Sequence, residues 1–197
     1  TEPTFVQMMN TYAKELGMTG SKFTNTPGMP DPEHYTTARD AAILSSALIR
    51  EFPEYYRWYA QREFTWNGIT QQNRNGLLWR DPSVDGVKTG HTETAGYCLV
   101  ASARRDGMRL VSAVLGTESM RAREDANAAL LNYGFNFFET KRHHAAREPL
   151  TNAPVGTSTT PTVARNNRIV SNRFESFLET LWDGGAIYAN GMQGPDQ

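Results

Sequence analysis

"DGVKTGHTETAGYCLVASARRDGMRLVSAVLG" occupies residues 85–116. Two apolar runs, "GYCLVASA" and "MRLVSAVLG", flank Arg104-Arg105-Asp106-Gly107, whose Asp-Gly pair suits a tight turn. Ahead of them stands "GVKTG", short and β-prone. The stretch therefore predicts three strands over 86–116, two of them in a clear hairpin. A cation, a hydroxyl and a glycine (Lys88, Thr89 and Gly90) sit side by side at the end of the first strand.

Helical spacing returns at 118–138, with Ala122, Ala126, Ala129, Leu130, Tyr133 and Phe137 as the expected buried stripe. Upstream, Phe5, Met8, Met9, Tyr12 and Leu16 repeat at i, i+3, i+4, i+7 and predict a helix over 3–16, with Gly17 as its stop. Residues 19–36 are rich in Gly, Pro, Asn and Thr and read as an irregular loop. A second helix starts with Thr36 or Thr37 as N-cap and Asp40 in its first turn. Ala41, Ile43, Leu44, Ala47 and Leu48 are its expected buried face. Pro53 opens a short third helix. Asn67-Gly68, between two β-prone runs in "REFTWNGITQQNRN", predicts a hairpin. Helices, then strands, then a helix give an α+β order rather than repeated βαβ units.

Past Thr140 the composition changes. "NAPVGTSTTPTVARNN" reads as a polar linker, and Phe174, Phe177, Leu178, Leu181 and Trp182 lie on one helical face. Glu175, Glu179 and Asp183 give that helix a polar face of the wrong sign for a membrane anchor. The expected organisation is one unit over 1–140 and a divergent tail over 141–197.

Hydrophobic residues make up 39% of the 197 and charged residues 21%, enough for a packed core. Twenty basic and 21 acidic residues leave a net charge of −1, which gives no electrostatic argument for nucleic acid or an anionic membrane. The apolar runs are too short to span a bilayer, and residues 1–17 read as a helix rather than a leader. The single cysteine, Cys98, excludes an internal disulfide and is expected to be a buried, inert thiol. His34, His143 and His144 form no set with cysteine or carboxylate at ligand spacing, so no metal and no cofactor is expected. Trp58, Trp66 and Trp79 are expected in the core or in a cleft wall.

Lys-Thr-Gly alone is a weak motif, but its place at a strand end beside an antiparallel hairpin is more specific. Lys-Thr-Gly is one of three elements, with Ser-x-x-Lys and Ser-Asp-Asn, of serine β-lactamases and penicillin-binding proteins. The residue types suit a peptide that ends in a carboxylate. A cation and a hydroxyl receive the anion, and a glycine lets a substrate backbone lie against the strand edge. A partly desolvated lysine can also polarise a neighbouring serine or carry its proton.

Five blocks, "FVQMMNTYAKELGM", "FTNTPGMPDPEHYTTARDAAIL", "FTWNGITQQNRNGLLW", "VDGVKTGHTETAGYCLVASA" and "YGFNFFET", carry a resemblance. Over about residues 3–140 the chain resembles the low-molecular-mass penicillin-binding proteins, D-alanyl-D-alanine carboxypeptidases of the S11 peptidase type. The resemblance implies a transpeptidase-like fold, an antiparallel sheet flanked by helices. It also implies a serine carboxypeptidase that removes the terminal D-alanine from peptidoglycan stem peptides through an acyl-enzyme and is acylated by β-lactams. The compartment implied is the periplasm, with inner-membrane association through a family anchor not seen here. Carried over by motif, Lys88 contacts substrate and the active-site hydroxyls, and Thr89 binds the substrate carboxylate. Gly90 and His91 line the strand edge. Arg123, in "RARED", helps hold the terminal carboxylate, and Arg74, in "NRNGLLW", stands near the site.

The chain also departs from the family pattern. None of its ten serines is followed by lysine three residues later, and no Ser-Gly-Asn or Ser-Asp-Asn occurs. The nucleophile is thus absent from this chain, and the expectation is a fold incomplete at the N-terminus, with one of three catalytic walls and strand 108–116 left as an open apolar edge. A serine β-lactamase is disfavoured because Glu33 starts no Glu-x-x-x-Asn element. A non-catalytic peptide-binding remnant is the alternative from another class. Bland roles stand beside these. Lys88 could be a solvated edge charge, Arg74 a partner of Asp81 or Asp85, and Arg123 a member of an i, i+3 or i+4 pair. The isolated 197-residue chain is predicted to be poorly soluble and to form no covalent band with labelled penicillin on a denaturing gel. A labelled band would contradict this.

Overall fold

A computed structural model describes residues 1–140 and 186–189. Helix α1 spans Glu2–Glu15, α2 Ala38–Glu51 and α3 Pro53–Tyr56, which runs on into a 3-10 turn at Arg57–Ala60. A small hairpin, β1 (Glu63–Trp66) and β2 (Ile69–Gln72), precedes the short α4 (Leu77–Arg80). The main strands are β3 (Val84–Thr92), β4 (Gly96–Arg105) and β5 (Met108–Thr117), followed by α5 (Met120–Phe137) and a short β6 (Ala186–Ala189). The sheet is antiparallel in the order β3-β4-β5-β6.

Both turns read from the sequence form as their residues demand. Asn67 and Gly68 take φ of 48° and 75°, and Asp106 and Gly107 take 48° and 83°, the left-handed values of a two-residue hairpin turn. Thr37 caps α2 by accepting from the Asp40 amide, and Ser119 caps α5 by accepting from Ala122.

Alternation along β4 splits the core between the faces of the sheet. Leu99, Ala101 and Ala103 join Leu110, Leu77, Leu78 and Leu131 of α5 on one face. Val100 joins Val111, Ala113, Ala42 and Ile49 of α2 on the other. The sheet is therefore sandwiched by helices, the α+β architecture expected.

Several buried faces differ from the apolar stripes. In α5 the inward residues are Arg123, Asn127, Leu131 and Gly134, about one position round from the expected Ala122-Ala126-Ala129-Leu130 stripe. Two are polar, and hydrogen bonds make their burial tolerable. Asn127 donates to Leu99 O (3.2 Å) and Arg123 O (2.8 Å) and accepts from Ser112 Oγ (2.6 Å). In α2, Asp40, Ala42, Ser45, Ser46, Ala47 and Ile49 are buried while Leu44 is exposed. Asp40 does more than sit in a first turn. Its carboxylate accepts from Gly20 N (2.7 Å) and Ser21 Oγ (2.8 Å), which ties the 19–36 loop to the helix. The α1 stripe is largely solvent-facing, with Phe5, Met8 and Tyr12 exposed and only Ala13 buried. Trp58, Trp66 and Trp79 are exposed, not in the core.

The expectation of an open edge at 108–116 also fails. Strand β6 pairs with β5 in the register Leu110↔Ala189 through Ala113↔Ala186. No alternating pattern in the tail announced a strand there, because a four-residue run in an edge position needs none. The rest of the 141–197 tail, including the linker and the 174–182 helix, lies outside the described residues.

Leu131 is 1% exposed in the α5 face of the core. Leu131→Ala is expected to cost about 2–5 kcal/mol, read as a lowered urea midpoint with an unchanged m-value. A change under 1 kcal/mol would show that α5 is not packed as described.

Candidate functional site

Among the described residues strand β3 is an edge strand, since the sheet order begins with it. Its N-terminal part is clamped. Asp85 accepts from Arg109 Nη1 (2.8 Å) and Tyr56 Oη (2.9 Å), and Arg109 Nη2 lies 2.7 Å from its other oxygen. Arg109 also donates to Ser102 Oγ (2.6 Å). Burial, with the Asp85 charge beside it, raises the Tyr56 pKa well above the ordinary tyrosine value, so the phenol stays protonated as a donor. Asn75, itself buried, donates to Gly86 O (3.0 Å). Gly86 has no room for a side chain, because a Cβ would lie 2.5 Å from the Tyr56 hydroxyl.

Gly90 differs. A Cβ there would meet only Cys98 Cβ at 3.8 Å, an ordinary contact, and Gly90 is not among the positive-φ residues. Nothing in the fold itself requires glycine at this position. The bare patch leaves room for another molecule's backbone.

The C-terminal part of β3 is held from behind. Arg123, 2% exposed, donates through Nη1 to Gly90 O (3.1 Å) and Cys98 O (3.3 Å), and through Nη2 to Arg74 O (3.3 Å). One guanidinium thus ties β3, β4 and the 73–76 segment together. It also lies 5.6 Å from the centre of the Tyr97 ring, a cation–π distance. The His91 ring packs on Tyr97 at 4.0 Å between centroids. Arg123 makes no i, i+3 or i+4 pair; Arg121 does so, with Asp125. The structure therefore puts Arg123 under the rim, on its carbonyls, whereas Lys88 and Gly90 are exposed on it and Thr89 is half-buried between them.

Lys88 donates to Thr89 O (2.6 Å) and meets no carboxylate among the described residues. Partial desolvation lowers its pKa, and the charges of Arg74 and Arg123 lower it further. Burial lowers that of Arg123 as well, with Arg74 adding repulsion. Asp81 and Asp85, the candidate partners of Arg74, are taken by Arg105 and Arg109. No carboxylate lies within ion-pair reach of Arg74 among the described residues, and the side chain is exposed. Arg74, Lys88 and Arg123 are close enough to repel one another, an arrangement that suits an incoming anion.

Cys98 is half-buried rather than buried, its thiol 3.4 Å from Ala95 O. Among the described residues no cluster of His, Cys, Asp or Glu could hold a metal ion. Tyr56, Asn75, Tyr97 and Arg109 went unnoticed in the sequence. The only signal for Arg109 was a cation inside the apolar "MRLVSAVLG" run.

The comparisons with known proteins agree with the motif. The family model described as D-alanyl-D-alanine carboxypeptidase matches residues 1–119. The D-alanyl-D-alanine carboxypeptidase DacA of Escherichia coli is 50% identical over 137 residues, covering 69% of this chain and 34% of the relative. DacF of Bacillus subtilis is 38% identical over 144 residues, 71% of this chain and 37% of the relative. Among solved structures, penicillin binding protein 5 from Haemophilus influenzae aligns with a TM-score of 0.67 at 46% identity. That alignment covers 69% of this chain and 40% of the other. Penicillin-binding protein D2 from Listeria monocytogenes, in its ampicillin-bound form, aligns with a TM-score of 0.62 at 33% identity, over 66% of this chain and 55% of the other. The chain spans about a third of the length of the curated relatives it matches.

Arg123→Ala leaves three carbonyls without their donor, a loss of at least about 3 kcal/mol in urea unfolding. Arg123→Lys keeps the charge but not the planar fork and is expected to lie between. Equal stability of Arg123→Ala and wild type would contradict the arrangement. Arg74→Ala removes a repelling cation and so raises the Lys88 pKa toward its ordinary value, measurable by NMR titration of the lysine side chain. Folding lowers this pKa, so the unfolded chain binds the proton more tightly. Stability therefore rises with pH between the folded and unfolded values, and Arg74→Ala flattens that rise. An unchanged or lower Lys88 pKa in the variant would refute the coupling.

Proposed function

Because the chain belongs to the D-alanyl-D-alanine carboxypeptidase family, we propose that its β3 rim receives the terminal carboxylate of a peptidoglycan stem peptide ending in D-Ala-D-Ala. The reaction is that of a serine carboxypeptidase. A serine hydroxyl attacks the D-Ala-D-Ala carbonyl, the terminal D-alanine leaves with the proton, and water then hydrolyses the acyl-enzyme. β-Lactams enter the same rim because they carry an acylating amide and a carboxylate. The setting is the periplasm, at the outer side of the inner membrane.

The observation that carries the reading is the cationic rim. Arg74 and Arg123 are the two charges that act on Lys88, both cations, and Thr89 is the next residue along the strand. Lys88 gives the carboxylate a point charge, and Thr89 gives it a hydroxyl. The Gly90 edge leaves backbone groups open to an extended peptide. Arg123 adds its charge from beneath and fixes the height of the Gly90 carbonyl. His91, packed on Tyr97, closes the far end of the edge. A lowered Lys88 pKa also suits it to proton transfer with a serine across the cleft.

Calorimetric titration of the chain with N-acyl-D-Ala-D-Ala tests the rim. Lys88→Ala and Thr89→Val are each expected to weaken binding by about fivefold to a hundredfold, roughly 1–3 kcal/mol for a hydrogen bond to a charged group. Unchanged affinity in both variants would overturn the assignment.

A further inference from the structure

In Asn73-Arg74-Asn75-Gly76 an exposed cation stands among two asparagines and a glycine. Each asparagine folds the chain locally. Asn73 Oδ1 accepts from Asn75 N (3.0 Å), and Asn75 Oδ1 accepts from Leu77 N (3.2 Å). Two successive Asx turns thus carry the chain past Arg74 and into α4.

Residues 74, 75 and 76 are then each held from outside the segment. The Arg74 carbonyl accepts from Arg123 Nη2 (3.3 Å), and Nη1 of the same guanidinium holds the Gly90 carbonyl (3.1 Å). The backbone at 74 and the strand edge at 90 therefore share one donor group. Asn75, 2% exposed, donates through Nδ2 to Gly86 O of β3 (3.0 Å). Gly76 N donates to Glu124 Oε1 of α5 (3.1 Å). This last contact has little slack, since a Cβ on Gly76 would lie 2.5 Å from the same carboxylate oxygen. The other oxygen of Glu124 accepts from Arg80 Nη1 (3.3 Å), so the carboxylate is itself oriented.

The Asx turns set the shape of the segment, and the outside anchors set its place against β3. That place decides where the Arg74 charge stands. The side chain is exposed and meets no carboxylate among the described residues, so no ion pair fixes it and its position follows its backbone. Its charge acts on Lys88, two residues before Gly90 on the same strand. The effect of one charge on another falls with distance, so a displaced backbone at 74 is felt at Lys88. We propose that Asn75 and Glu124 are positioning residues of the rim: by pinning residues 75 and 76 they fix where the Arg74 cation stands relative to Lys88. Both act through Arg74 rather than on the peptide. The inference rests on the rim proposed above and names the residues that hold it in place.

The test is NMR titration of the Lys88 side chain in the 197-residue chain without peptide. Asn75→Ala exchanges one neutral residue for another. It is expected to release Arg74 and so raise the Lys88 pKa toward its ordinary value, as Arg74→Ala does. In the Arg74→Ala background the same change adds nothing, because its route is gone. The Glu124 variants separate the acceptor from the charge. Glu124→Gln and Glu124→Ala lose the same negative charge, a loss that by itself lowers a lysine pKa. Glutamine keeps an oxygen for Gly76 N, and alanine does not. The Lys88 pKa is therefore expected to be higher in Glu124→Ala than in Glu124→Gln. A merely structural role lowers the urea midpoint in these variants but does not move Lys88 in this pattern. Circular dichroism checks the fold, and the Glu124 pair, with a side chain 15% exposed, decides the matter where Asn75→Ala does not fold. Equal Lys88 pKa values in Glu124→Ala and Glu124→Gln would overturn the inference. So would a folded Asn75→Ala with the wild-type value, or an unchanged value in Arg74→Ala itself. A further rise on adding Asn75→Ala to Arg74→Ala would also overturn it, since the effect would then run through Gly86 and β3. Every reading is taken on the free chain, so the positioning and the N-acyl-D-Ala-D-Ala binding can fail separately.

Discussion

One buried guanidinium decides the geometry of the rim. Arg123 comes from α5, yet its donors end on carbonyls of β3, β4 and the segment before α4. An arginine is suited to this because its planar fork can satisfy several acceptors at fixed angles. A charge at 2% exposure is costly unless it is well paired. Here its hydrogen bonds end on carbonyl dipoles rather than on a carboxylate, and the nearby Glu124 charge offsets only part of its own where Lys88 and Arg74 add theirs. The same contact that holds the strand keeps the rim cationic.

The other end of β3 is treated in the opposite way. Asp85 is neutralised by Arg109 and held by Tyr56, so the strand enters the sheet from a closed ion pair. Along the strand the electrostatics therefore pass from compensated at Asp85 to uncompensated at Lys88. The two glycines follow that division. Gly86 is filled against by Tyr56 and is needed by the protein's own packing, while a side chain at Gly90 would meet only an ordinary contact.

What the sequence made legible was local. The Asn67-Gly68 and Asp106-Gly107 turns, the Thr37 cap and the strand at Gly86-Val87-Lys88-Thr89-Gly90 are set by residues whose neighbours decide their conformation. The Lys-Thr-Gly element located the rim. Hydrophobic periodicity failed where burial was polar. Asp40, Arg123 and Asn127 lie inside because distant backbone groups pair with them, and no one-dimensional stripe contains those partners. It failed in the opposite sense at α1 and at the tryptophans, where apolar side chains face solvent. The Arg109–Asp85–Tyr56 knot joins residues far apart in the chain and could not be read from spacing. The pairing of β6 with β5 was hidden for the same reason.

The central claim is that the β3 rim reads a terminal carboxylate. The most direct measurement is the backbone amide spectrum of the isotope-labelled chain, titrated in parallel with N-acyl-D-Ala-D-Ala and with the same peptide as its C-terminal amide. The account predicts saturable shifts centred on Thr89, Gly90 and His91 with the acid and none of comparable size with the amide. Equal shifts with both peptides, or shifts confined to residues away from β3, would contradict it.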